Sequence, residues 1–207
     1  GTGTDITPAQ QVAEEIRAMG GEAVVNGDNV ADWQGAQRMI NQAVETFGDL
    51  DILVNNAGIL RDRVLVNMTE AEWDAVVDVH MKGHFAPTRW AAAYWREQVK
   101  AGINKPRHLV HTSSTSGLFS NPGQTNYTAT KAGVAAMAEV WAKELARYGI
   151  RAGSIAPGYT KTDILAAMRP EILDKLTAQV PLRRLGEASE IASAAVFIVE
   201  NDFFTGR

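Results

Sequence analysis

Short apolar runs of strand length alternate with longer stretches of helical period along the chain, and this alternation narrows the fold more than any other feature. "TPAQQVAEEIRAMG" has Thr7 in the N-cap position, Pro8 at the first helical position, Val12, Ile16 and Met19 on one side, and Gly20 as a stop. "EAVVNGDN" follows as a short strand. "ADWQGAQRMINQAVETFG" is then a second helix, with Trp33, Ala36, Ile40, Ala43 and Phe47 on a stripe ending at Gly48. "LDILVNNAG" reads as a buried strand, apolar on both faces. Thr69 and Glu72 have capping-box spacing and open a helix from Glu70 to the mid-90s. "RHLVHTSS" is a strand, Tyr127 to Tyr148 a helix and "IRAGSIAPG" another strand. Alternation of this kind implies right-handed crossovers and an α/β, doubly wound parallel sheet covered on both faces.

The chain of 207 residues reads as a single domain, with no repeat, low-complexity tract or linker to divide it. No segment approaches the roughly 18 apolar residues of a membrane span. The net charge of −4 and the absence of any Lys/Arg-rich run leave no electrostatic footprint for nucleic acid. A small-molecule partner is expected. Without cysteine there is no disulfide framework, thiol catalysis or Cys-ligated metal, which agrees with a reducing, cytoplasmic setting. No signal peptide precedes the first helix.

Ligands of such sheets bind outside the carboxyl ends of the strands. Those ends are Asn29, Asn55 to Gly58, Ser113 to Gly117 and Pro157 to Thr162, all small or hydrogen-bonding residues. Beside them lies "NYTATK", where Tyr127 and Lys131 fall four apart on one face of a helix's first turn. An ammonium near a phenol favours the phenolate and lowers a pKa of about 10, which suits Tyr127 to acid/base work near neutrality. A hydroxyl from Ser114 is then placed to hydrogen-bond a reacting carbonyl oxygen as charge develops there. Taken alone, Tyr-x-x-x-Lys also fits a solvated helix face.

Four motifs in order carry the pattern beyond that pair: "NNAG" after a strand, Ser114 thirteen positions before Tyr127, "YTATK", and "APGYTKTD" after the next strand. In these the sequence resembles the short-chain dehydrogenase/reductase family, from about Pro8 to Gly206. "NNAGILRDR" and "VPLRRLGEASEIA" look most like 3-oxoacyl-thioester reductases and the related hydroxyacyl-thioester dehydrogenases.

The resemblance implies a Rossmann-type fold and an NAD- or NADP-dependent oxidoreductase that interconverts a ketone and a secondary alcohol. Ser114 would polarise the carbonyl, Tyr127 would exchange the proton, and Lys131 would lower the tyrosine pKa and hold the nicotinamide ribose. Asn56, Ala57 and Gly58 would pass under the cofactor, and Asn29 and Val30 would flank the adenine. Pro157, Gly158, Thr160 and Thr162 would meet the nicotinamide end, and residues from Tyr159 to about Val180 would form a lid. Family members are commonly homotetramers, so a homo-oligomer, tetramer or dimer, is expected. The alternative is a non-catalytic cofactor sensor or interaction protein on the same fold.

Two departures from the family stand out. The fourth catalytic position, usually Asn, is His80 here, on the inward stripe with Trp73, Val76 and Val77. A proton-relay role and a core histidine are both open to it. The second departure is the Gly-rich phosphate loop, which does not occur in the sequence, and "GTGT" at the start precedes a helix without a strand before it. The expectation is a single domain over residues 1–207 lacking the family's first strand-helix-strand and last strand, through omission or truncation. The residues that select NAD or NADP fall in that portion. Arg61, Arg63, Arg183 and Arg184 are read as solvated or as attracting a phosphate-bearing carrier. Trp90, Tyr94 and Trp95 are read as an interface between subunits, with an intrachain core as the competing view. His84, His108 and His111 are read as structural or exposed, and no metal site is expected.

Overall fold

The computed structural model describes residues 6–162, 165 and 168–207. Three parallel strands form the sheet in the order β1 (Ile52–Asn55), β2 (Arg107–Thr112), β3 (Ile150–Ile155). Ile52 stands opposite His108, and Arg107 opposite Ile150, so their carboxyl ends finish at one edge. Helices α1 (Thr7–Ala18) and α2 (Trp33–Phe47) precede β1. Between β1 and β2 run α3 (Glu70–Val77), a π-turn at Asp78–Lys82 and α4 (Gly83–Lys100). The short α5 (Thr115–Phe119) and long α6 (Thr125–Leu145) join β2 to β3. α7 (Pro170–Gln179) and α8 (Ala188–Glu200) follow.

The central strand explains the packing. β2 is buried along almost its whole length, and its Leu109 joins Ile40, Ala91, Trp95, Ala142, Ile150 and Ala152 in one core cluster. Successive side chains of a strand face opposite ways. Ala152 therefore meets this cluster, while a Cβ on neighbouring Gly153 would lie 3.0 Å from Ile198 of α8 and from Phe204. Arg107, 2% exposed, is satisfied by the Asp49 carboxylate at 3.0 Å and the Leu50 carbonyl at 2.5 Å.

Several local expectations hold. Thr69 and Glu72 form the capping box at α3, with the Glu72 amide donating to Thr69 Oγ1 at 3.2 Å. Gly48 ends α2 at φ 82°, a left-handed value that glycine adopts without strain. Others are corrected. Ile6, not Thr7, is the N-cap of α1. "EAVVNGDN" pairs with no strand among the described residues and is irregular there. β1 is not buried on both faces: as the sheet's edge it leaves Ile52 and Val54 exposed at 41% and 52%, while its other face packs Leu53 against the core.

Trp95 belongs to the intrachain core, and Trp90 and Tyr94 are half-buried residues packed against it. Trp95 is fully buried and donates its indole N–H to the Leu50 carbonyl at 2.6 Å. Tyr94 donates to Asp49 at 3.0 Å and Trp90 to the Trp33 carbonyl at 3.2 Å. These aromatic residues tie α4 to α2 and to the turn before β1. His84, His108 and His111 are all buried, so of the two readings the structural one applies. No described helix is long and apolar enough to cross a membrane.

Candidate active site

The sheet's carboxyl edge brings together the residues singled out in the sequence. Ser114, directly after β2, is the N-cap of α5, where its Oγ accepts from the Ser116 amide at 3.1 Å. Its hydroxyl also hydrogen-bonds the phenol of Tyr127, on the first turn of α6. Helices α5 and α6 can bring these groups together because Gly117 lets their backbones touch. A Cβ at Gly117 would stand 2.7 Å from the Lys131 carbonyl carbon and the Ala132 nitrogen, a separation that real side chains do not tolerate. Ser113 adds a tether by donating to the Lys131 carbonyl at 2.7 Å.

Lys131 is 2% exposed, and its ammonium donates to the Thr112 carbonyl at 2.5 Å and lies 5.6 Å from the Tyr127 ring centroid. One N–H is thus engaged, leaving donors for a further partner. Burial pulls the lysine pKa down to about 8. The expected direction at Tyr127 is corrected here. Burial pushes the phenol above its ordinary value, the Ser114 hydrogen bond opposes that, and the Asp62 carboxylate reinforces it. The ammonium sits against the ring and on a strand carbonyl, so desolvation of the phenol is the larger influence.

Asn56, Ala57 and Gly58 form an exposed turn beyond β1, with Asn56 accepting from the Thr112 hydroxyl at 2.9 Å. Pro157 lies beyond β3, and its carbonyl accepts from the Thr115 amide at 3.1 Å, which ties the third strand end to α5. Gly158 stands close to Thr115 as well. Thr160 bridges to Gly186 through the Tyr159 carbonyl and the Lys161 amide, leaving its own amide out of that pairing. Thr162 is exposed. Asn29 is a turn residue opening α2, where its side chain accepts from the Ala31 amide at 3.0 Å and its carbonyl from Asp32. Val30 packs against Gly83, so close that a Cβ there would come within 2.8 Å of Val30 Cγ2. This contact anchors the 29–30 turn to the start of α4.

His80 sits on the π-turn, 1% exposed. Its ring meets Tyr127 edge-on at 5.2 Å, and its Nε2 lies 2.8 Å from the Ile59 carbonyl oxygen and 3.1 Å from the Ile59 amide. Burial, with the Lys131 charge beside it, lowers its pKa to about 4. Behind it the rings of His84 and His111 lie tilted with centroids 5.9 Å apart, and both are held near 3, His84 by burial and then the Lys131 charge and His111 by burial alone.

A cleft of about 630 Å³ opens beside Ser114, between α5 and the segment 179–191. Thr115, Phe119, Gly158, Leu182, Arg184 and Ile191 are among its walls. The lid expected over Tyr159 to Val180 includes α7, and its residues 163, 164, 166 and 167 lie outside the described residues. Arg184 is paired with Glu190 at 2.6 Å and Arg63 with Glu72 at 2.9 Å, so neither is a free cation.

Sequence reasoning missed three supports. Asn126 is fully buried and donates to the Arg61 and Glu72 carbonyls at 3.0 and 3.1 Å, fixing the start of α6 on the 59–72 segment. Gln124 donates to Asp62 at 2.8 Å. Asn55 donates to Thr88 at 2.9 Å and meets His111 Nδ1 at 3.3 Å, which tethers β1 to α4 and β2. Asn126 adjoins Tyr127 in "NYTATK", and that adjacency was the available signal.

A nucleoside cofactor fits what is present. The buried Lys131 ammonium has donors to spare, and small residues line the strand ends where a dinucleotide would lie. A doubly wound sheet carrying Ser, Tyr and Lys at its carboxyl edge defines the class, and the chain belongs to the short-chain dehydrogenase/reductase family of oxidoreductases. The family model described as enoyl-(acyl carrier protein) reductase matches residues 2–207. The chain is 39% identical to a 3-oxoacyl-[acyl-carrier-protein] reductase of Staphylococcus aureus, over 96% of this chain and 79% of that protein. It is also 39% identical to the reductase of that name from Thermotoga maritima, over 86% of this chain and 71% of the relative. A crystal structure of a short chain dehydrogenase from Mycobacterium avium superposes with a TM-score of 0.79 at 44% identity, covering 96% of this chain and 64% of that one.

Proposed function

We propose that the protein interconverts a 3-oxoacyl thioester and the 3-hydroxyacyl thioester, using NAD or NADP. The observation that carries this reading is the Tyr127 phenol held by the Ser114 hydroxyl and flanked by the buried Lys131 ammonium at the sheet's carboxyl edge. Ser114 orients the ketone oxygen, and Tyr127 gives that oxygen its proton as negative charge builds there. When bound, the reduced nicotinamide supplies the hydride to the carbonyl carbon. The C=O bond thereby becomes a C–H and an O–H, and the cofactor is oxidised. Lys131 favours the transient phenolate and holds the ribose hydroxyls with its remaining N–H donors. A phenol whose pKa burial keeps high releases its proton only to a substrate oxygen that is becoming strongly basic.

In this reading Asn56, Ala57 and Gly58 carry the cofactor on their backbone, Asn29 and Val30 flank the adenine, and Pro157, Gly158, Thr160 and Thr162 receive the nicotinamide end. The acyl chain enters the cleft between Phe119 and Leu182, both exposed at its rim. A thioester carried on coenzyme A or on an acyl-carrier protein is supported by the names of the relatives from Staphylococcus and Thermotoga. A homo-oligomer, tetramer or dimer, belongs to the same reading and is supported by Phe85 and Val140, exposed on the two long helices. So does a cytoplasmic setting, supported by the cysteine-free sequence. A single oxidoreductase domain over residues 1–207 belongs to the same reading.

The test is the oxidation of NADPH or NADH with acetoacetyl-CoA, followed by the absorbance of the reduced cofactor. Turnover that disappears in Tyr127→Phe supports the reading. A folded protein that turns over neither cofactor with a panel of 3-oxoacyl thioesters overturns it.

A further inference from the structure

We propose that Ser120, at the tail of α5, is a specificity-determining residue whose hydroxyl accepts a hydrogen bond from the amide N–H nearest the sulfur of a pantetheine thioester, the arm that coenzyme A and acyl-carrier proteins share. This deepens the 3-oxoacyl-thioester reading and rests on it. Backbone strain is the first observation. Ser120 has φ 64° and ψ 158°, a region that glycine enters freely and other residues essentially avoid. Among the described residues the other non-glycine residue with positive φ is Arg183, at 54°. One stands on each side of the same cleft: Ser120 lines the α5 wall, and Arg183 lies between Leu182 and Arg184 of the facing wall. Strain of this kind gathers at ligand clamps.

The two differ in what their side chains do. Arg183 closes its own turn, its amide donating to the Val180 carbonyl at 2.9 Å and its guanidinium to the Ala178 carbonyl. Ser120 donates its amide to the Ser116 carbonyl at 3.0 Å, while its hydroxyl has no partner among the described residues. The turn that follows is clamped from outside. The Gln124 amide donates to the Asn121 carbonyl at 3.1 Å, the Asn121 side chain donates to Gln124 Oε1 at 3.1 Å, and Gln124 reaches Asp62 at 2.8 Å. This clamp holds the strained conformation but does not call for a hydroxyl, since glycine adopts it without strain. What serine adds on the cleft wall is an uncommitted O–H that can donate and accept.

The reach fits the arm. Ser114 and Ser120 bracket α5, and a helical rise of about 1.5 Å per residue separates them by about 9 Å. In a pantetheine thioester the chain from the ketone carbon through the sulfur to the first amide nitrogen spans about 7 Å when stretched. A ketone oxygen held by Ser114 at one end therefore brings that N–H within a hydrogen bond of Ser120 at the other. The acyl chain, on the other side of the ketone, is left to the apolar pair Phe119 and Leu182.

The experiment compares the full chain with its Ser120→Gly and Ser120→Ala variants on two thioesters, with NADPH or NADH. Acetoacetyl-N-acetylcysteamine carries the amide, and S-butyl acetothioacetate is the same thioester without it. Both variants are expected to raise KM for the first about fivefold more than for the second, the scale of one neutral hydrogen bond, with the loss in KM rather than kcat. Urea unfolding separates strain from contact: Ser120→Gly sheds the strain and is expected to unfold at higher urea than Ser120→Ala, which keeps it. Acetoacetyl-CoA and an acetoacetyl-carrier protein then tell the two sources of the arm apart, the natural one being that whose KM Ser120→Ala raises.

Equal KM changes for the two small thioesters overturn the proposal, because the hydroxyl then shapes the cleft without reading the amide. So does a KM that stays unchanged for every amide-bearing substrate, and equal urea midpoints in the two variants overturn the premise of strain. A parent that turns over no 3-oxoacyl thioester defeats the oxidoreductase reading. Calorimetric binding of acetoacetyl-CoA then decides the subsite by itself: about fivefold weaker binding in Ser120→Ala supports it, and unchanged or undetectable binding overturns it.

Discussion

Two sides of the sheet's carboxyl edge are built differently. At β2 and β3 the active groups are fixed by the chain's own interior: Ser113 bonds the Lys131 backbone, Lys131 bonds Thr112, and Pro157 bonds Thr115. At β1 the turn Asn56 to Gly58 is exposed, and Ile52 and Val54 lie open on the strand behind it. In the proposed reading the groups that exchange the proton are therefore preorganised by packing, whereas the segment assigned to the cofactor's floor depends on a few point contacts, Asn55 to Thr88 and His80 to Ile59 foremost. Rigid parts of a site tolerate little change, and tethered parts tolerate change that spares the tether.

The sharpest way to break the contrast is to cut into the packed side. Trp95→Ala removes a fully buried indole and its bond to Leu50, and is expected to cost about 3–5 kcal/mol, read as a fall in the urea midpoint. A loss under about 1 kcal/mol would show that the packed half yields as readily as the open one. Tyr127→Phe tests the chemistry separately from the packing. Turnover should drop on the order of 10²–10⁴-fold while the melting temperature changes little.

Acid should loosen the interior through its histidines. Folding holds His80 near pKa 4 and His84 and His111 near 3, against an ordinary value of 6.5. The unfolded chain thus binds protons that the folded chain refuses, so stability is complete above about 6.5 and declines as pH falls toward the folded values. The urea midpoint should therefore fall between about pH 7 and pH 5, and fall less in His111→Phe. An equal fall in that variant would place the acid sensitivity elsewhere. The smallest effect is expected on the open side. Val54→Thr, at a position 52% exposed, should shift stability by no more than about 0.5 kcal/mol by the same unfolding measurement.

This division also governs what could be read from residues alone. The capping box at Thr69, the glycine stop at Gly48 and the i,i+4 placement of Tyr127 and Lys131 are local matters, set by spacing along the chain, and the structure keeps them. "EAVVNGDN" has strand composition, yet pairing depends on a neighbour that no local pattern reveals. The direction of the Tyr127 shift is not legible in the residues for a related reason. Proximity to Lys131 follows from helix spacing, but burial of the phenol and the approach of Asp62 follow from tertiary packing. His80 was legible as inward-pointing from its stripe, whereas its grip on Ile59, twenty-one positions away, was not. The aromatic run at Trp90, Tyr94 and Trp95 was ambiguous because burial in a core and burial between subunits select the same residue types.

The bare backbone at Gly117 sets a limit on how this site can be altered. Because α5 carries Ser114 at its head and packs on α6 where Gly117 leaves no room for a Cβ, any larger residue would push the two helices apart and draw the serine from its phenol. A library randomised across residues 115–119 and selected for turnover should vary at its outward positions yet return glycine at 117, making that site a one-letter bottleneck in any effort to retool the enzyme.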